Sequence, residues 1–94
     1  MPVARIYRMI AAEGKGDALA QALLAFAPDV QGLPGCLSVD VMRDTENPLS
    51  FLFLEKWDAI ESHKAGLPAL PRDNLAVVMS LVASPLAGTY EEYL

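Results

Sequence analysis

The chain has 94 residues, of which 53% are hydrophobic, and a net charge of -5. That is room for a single domain, 1–94, and more apolar surface than one small core absorbs, so self-association is expected. Seven scattered Lys and Arg residues exclude a phosphate-tracking nucleic-acid surface, and a lone cysteine, Cys36, excludes an internal disulfide or a multi-Cys zinc site and suits a reducing cytoplasm.

At the start, Val3 to Ala12 divides into two alternating sets: Val3, Arg5, Tyr7 and Met9 against Ala4, Ile6, Arg8 and Ile10. This is the period of a strand, and its two arginines interrupt anything resembling a secretory h-region. No apolar run further along is long enough to span a bilayer, so neither a membrane nor nucleic acid is expected as a partner. Gly14 and Gly16 break the strand. Asp17 then suits the N-cap or first turn of a helix whose Leu19, Leu23, Phe26 and Val30 recur at helical spacing, with Pro28 a candidate kink or end.

Gly32, Pro34 and Gly35 close that segment. Cys36 to Arg43 and then "SFLFLEKW" read as two strands joined by the polar turn "DTENP", a hairpin. Asp58 and Glu61 have the spacing of a capping box for a short helix that carries Ile60, His63 and Leu67 on one side, ending at Pro68 and Pro71. A further helix follows with an apolar stripe of Leu75, Val78, Met79 and Val82, ended by Ser84 and Pro85. The tail "LAGTYEEYL" alternates as a last strand.

The order βαββααβ predicts an α+β, ferredoxin-like split βαβ fold, an antiparallel sheet with helices on one face. Within "SFLFLE", Phe51 and Phe53 alternate with Leu52 and Leu54, so both faces of that strand are apolar. One face can lie under the helices; the other calls for a second sheet. A homodimer packed sheet against sheet, a dimeric α+β barrel, is the expected solution.

"PGCLSVDVMRD" followed by "FLFLEKW", with a glycine-led helix before and a His-bearing helix after, resembles the antibiotic biosynthesis monooxygenase family, which includes quinol monooxygenase-like proteins. The resemblance implies oxidation of a small aromatic quinol, polyphenol or anthrone by O2 without flavin, haem or metal. It also leaves open an isomerase, or a non-catalytic dimeric protein that binds a small aromatic ligand or serves a neighbouring enzyme. Trp57 matches the strand-end Trp of the family. Where some members carry an Asn four residues before that Trp and a Tyr six after it, this chain has Phe53 and His63; where many carry a His nine after it, it has Gly66. Haem-degrading relatives use an Asn in the first strand and a His in a late helix, and "VARIYRMI" and "NLAVVMSL" offer neither. No G-x-G-x-x-G, P-loop or metal-ligand spacing occurs, so no cofactor is expected.

The candidate catalytic residues are therefore His63, as proton acceptor, and Trp57, as a stacking wall whose N–H would hold an oxygen. Tyr7, Phe53, Leu67 and Met79 are candidate substrate contacts. Glu55 interrupts the apolar run on the same face as Phe51, Phe53 and Trp57, so it must reach the rim, pair with a cation such as an Arg, or sit in the pocket; a structural pairing, across the dimer, is the expectation.

Overall fold

A computed structural model describes residues 1–84 and 86–94 of the chain; Pro85 lies outside the described residues. The strands are β1 (Val3–Ile10), β2 (Cys36–Arg43), β3 (Ser50–Trp57) and β4 (Ala87–Glu92), and the helices are α1 (Gly16–Gln31), α2 (Ile60–Gly66) and α3 (Arg72–Leu81), with a 3-10 turn, Leu67–Ala69, between the last two. All four strands form one antiparallel sheet in the order β2-β3-β1-β4. This is the expected ferredoxin-like α+β architecture.

The alternation seen in the sequence sets which side chains face the helices. Arg5 opposes Glu55 and Tyr90, Tyr7 opposes Phe53 and Gly88, and Met9 opposes Phe51, so β1, β3 and β4 bring these residues to one face. On β3 the split is complete: Phe51, Phe53, Glu55 and Trp57 are buried, and the intervening residues are only partly so. Leu19, Leu23, Phe26 and Val30 of α1 cover this face, as their spacing predicts.

Three local expectations need correction. Pro28 does not end α1. The helix runs three residues further, and the carbonyl that proline deprives of a partner belongs to Leu24, which is exposed and can be satisfied by water. The capping box at Asp58 and Glu61 does not form, because the N-cap of α2 is Ala59, one residue later, without a side-chain cap. Asp58 still belongs to the end of the sheet, its N–H donating to Gly35 O at 2.9 Å. On α3, Val78 is buried and Leu75 and Leu81 partly buried, whereas Met79 turns outward and is 44% exposed. Asn74, which donates to Asp29 Oδ2 at 2.9 Å and Ala25 O at 3.3 Å, fixes the rotation of α3 against α1.

Candidate functional site

Between the sheet and the helices lies a cavity of about 100 Å³. Its wall is apolar for most of its extent, formed by Met9 and Phe53 of the sheet, Leu23, Phe26 and Val30 of α1, Leu67 and Leu70 before α3, and Leu75 and Val78 on it. Tyr7, Glu55 and His63 interrupt that wall, with Trp57 beside them. Tyr7 and Glu55 reach this end because they sit on the helix-facing register of neighbouring strands, and His63 because α2 starts directly after β3 and turns its fourth residue back over the sheet.

His63 is 2% exposed and uses both ring nitrogens. Its Nε2 lies 3.0 Å from the Tyr7 hydroxyl and its Nδ1 lies 2.7 Å from the Tyr90 hydroxyl. The rings of Trp57 and Tyr90 meet the imidazole edge-on, at centroid distances of 5.4 Å in both cases. Burial pushes the His63 pKa down, and the nearby positive charges of Arg5 and Lys64 push the same way, so the ring is neutral at pH 7. A neutral imidazole has one N–H and one lone pair, so one of its tyrosine neighbours donates to it and the other accepts from it.

Glu55 is 4% exposed and accepts a hydrogen bond from Trp57 Nε1 at 2.8 Å; the same Oε1 is 3.8 Å from His63 Nε2. Burial raises its pKa to about 7, against the opposing effects of the Trp57 N–H and the charge of Arg5. Of the places the sequence left open for Glu55, the structure puts it in the cavity wall, with Trp57 Nε1 and His63 Nε2 as its nearest polar partners within the chain. The Trp57 N–H is committed to Glu55, leaving Trp57 an apolar wall rather than a donor to ligand oxygen.

Arg5 completes the polar end from behind. Its Cζ lies 4.3 Å from the ring centroid of Tyr90 and 4.9 Å from that of Tyr7, and its Nε is buried without a hydrogen-bond partner. The guanidinium fits because residue 88 is glycine: a Cβ there would come within 2.6 Å of Arg5 Nη2. Burial raises the Tyr7 pKa, and Arg5 offsets part of that rise.

The structure therefore brings together His63, Trp57, Tyr7, Phe53 and Leu67 around one cavity and leaves Met79 out, with Leu75 and Val78 in its place. Tyr90 is the residue the sequence reading missed. Its only sequence signal was strand parity, which puts it on the same face of β4 as Gly88, and that becomes informative only once β4 is known to pair with β1. Among the described residues, no group of three or more His, Cys, Asp and Glu side chains is gathered as a metal ion would require.

A ferredoxin-like domain whose apolar cavity ends in a buried histidine bonded to tyrosine is the class that fold and site define. The family model for antibiotic biosynthesis monooxygenase matches residues 2–66. A protein of that family from Chloroflexus aurantiacus is 34% identical over 100% of this chain and 94% of its own, with a TM-score of 0.81. Rv0793 of Mycobacterium tuberculosis is 24% identical over 100% of this chain and 96% of its own, with a TM-score of 0.80. SnoaB of Streptomyces nogalater, a cofactor-independent oxygenase, shares the fold at a TM-score of 0.84, with 14% identity over 99% of this chain and 93% of its own. No curated protein matches the sequence. The chain belongs to the antibiotic biosynthesis monooxygenase family.

Proposed function

We propose that this protein is a cofactor-independent monooxygenase that oxidises a small aromatic quinol or polyphenol with O2. The observation that carries the reading is the neutral, buried His63 bonded to the Tyr7 hydroxyl at 3.0 Å where both face an apolar cavity. A quinol needs little more than this. Once its hydroxyl is deprotonated, the electron-rich anion can transfer an electron to O2, and the protein has only to exclude water, hold the ring and accept the proton. The balance closes without another reductant: a quinol with one ring C–H plus O2 gives a hydroxyquinone plus water, the ring supplying all four electrons. His63 is the acceptor, reached through the Tyr7 hydroxyl, and Trp57 and Phe53 are the walls for the ring. The cavity, about 100 Å³, is of the order of the ~150 Å³ apolar cavity that takes up benzene, which favours one ring over fused ones. A cytoplasmic homodimer packed through the outer sheet face is part of the same proposal.

Oxygen uptake with a panel of single-ring and fused-ring quinols tests it. Uptake is expected with single-ring quinols, and His63→Ala should lower turnover by about a hundredfold or more while the circular dichroism spectrum is unchanged. No uptake by the parent with any member of the panel would refute the oxygenase and leave a small-ligand-binding protein or an isomerase. Equal rates in parent and His63→Ala would keep the enzyme and remove His63 as its base.

A further inference from the structure

His63 has a partner on each nitrogen, and the two partners lie in different places. Tyr7 lines the cavity; Tyr90, on the edge strand β4, does not, and is only partly buried. We propose that Tyr7, His63 and Tyr90 form a proton relay that connects the polar end of the cavity to the edge of the sheet, with Tyr90 as its outer end. This inference rests on the proposed oxygenase reading and extends it to a residue that need not touch the substrate.

The geometry has the two properties a relay requires. The links are 3.0 Å and 2.7 Å, within hydrogen-bond range, and the central group can take a proton at one nitrogen while releasing another from the opposite one. With the substrate hydroxyl donating to Tyr7, Tyr7 to Nε2, and Nδ1–H to Tyr90, each proton moves one step outward and the Tyr90 proton passes to water. The substrate is left as an anion accepting from Tyr7, and the imidazole is again neutral, with its N–H on Nε2. No buried imidazolium is required, which matters because burial, Arg5 and Lys64 all disfavour one. Arg5, stacked on the Tyr7 ring, offsets part of what burial adds to the cost of transient negative charge on the Tyr7 oxygen. The overall reaction releases no net proton, because both hydrogens lost by the ring leave as water. The relay lets the hydroxyl proton depart while O2 reacts and lets a proton return along the same path to form that water.

Tyr90→Phe retains the ring against Arg5 and His63 and removes only the hydroxyl. In the parent, a chain that can run in both directions populates both neutral tautomers, so the 15N shifts of His63 should show the proton shared between Nδ1 and Nε2. In Tyr90→Phe, Nδ1 has lost its partner and a single Nε2–H tautomer is expected. Oxygen uptake should fall about tenfold or more in kcat, with KM within twofold, since the cavity wall is untouched. A parent locked in the Nε2–H tautomer, which has no lone pair to take the Tyr7 proton, would overturn the relay, and so would a Tyr90→Phe enzyme with unchanged kcat. The tautomer measurement on the parent needs neither turnover nor a folded variant, so it decides the relay even if no quinol is oxidised; that last result counts against the oxygenase reading alone.

Discussion

Glu55 shows how one side chain can set the stability of the whole fold. Its carboxyl titrates at about 7 in the folded protein and at the ordinary 4.5 when unfolded. Above pH 7 it is charged in both states and the folded state bears the cost of burying that charge. Between 7 and 4.5 the folded state holds a proton that the unfolded state has lost, so stability from this group rises as pH falls, and below 4.5 the penalty is gone. The full penalty is about 3 kcal/mol. Glu55→Gln removes the charge and keeps an acceptor for the Trp57 N–H. Urea unfolding should therefore find Glu55→Gln more stable than the parent at pH 8, by about 2 kcal/mol, with the difference closing as the buffer is taken down to pH 5. His63, whose pKa moves down, acts oppositely and destabilises the parent as acid begins to protonate it, but it is present in both proteins and leaves the difference intact. A constant gap across that range would show that the carboxyl is not held protonated.

The elements were legible wherever one face is buried, because a period of two or of 3.6 residues is visible in any window. Leu19, Leu23, Phe26 and Val30 announce α1, and Phe51 to Trp57 announce both the strand and its inward face. What sequence could not supply was the exact rotation and start of the short helices, where tertiary contacts outweigh local signals; Met79 and the unformed capping box both fail there. The site was half legible for a related reason: Tyr7, His63 and Tyr90 are 56 and 27 residues apart, and only the β1–β4 register and the position of α2 bring them together. Gly35 is one of the residues that holds α2 in position. Its φ is +87°, and a Cβ there would stand 2.6 Å from Ser62 Cβ and 2.8 Å from Asp58 Oδ1. Gly14 has a φ of +76° with nothing within 4 Å. Ala at Gly14 should cost about 1 kcal/mol from backbone strain alone, whereas Ala at Gly35 adds displacement of α2 and should cost about 3 kcal/mol or more. Denaturant midpoints of the two variants measure this, and equal losses would mean that Gly35 serves only its turn.

The molecule as a whole has two unlike sheet faces. The inner face carries the cavity. On the outer one, Ile6 lies opposite Leu54 and Leu52 opposite Met42, with Ile10 43% and Met42 44% exposed. Four strands of about eight residues present a face of roughly 500 Å² in projection, so two such faces together bury on the order of the 1,000 Å² at which a specific association becomes stable. The dimer proposed above follows from that surface, and it separates assembly from chemistry because the polar end of the cavity is on the other side of the sheet. Leu54→Asp places a carboxylate at the centre of the outer face without touching the cavity wall. Light scattering at micromolar concentration should show a dimer for the parent and a monomer for this variant, with a lower thermal midpoint, since the apolar face is then left in water. Binding of a single-ring phenol should change by less than about threefold, because no residue of the wall has moved. A monomeric parent would remove the dimer, whereas a dimeric parent whose Leu54→Asp variant loses ligand binding along with its partner would mean that the second subunit shapes the cavity through the sheet.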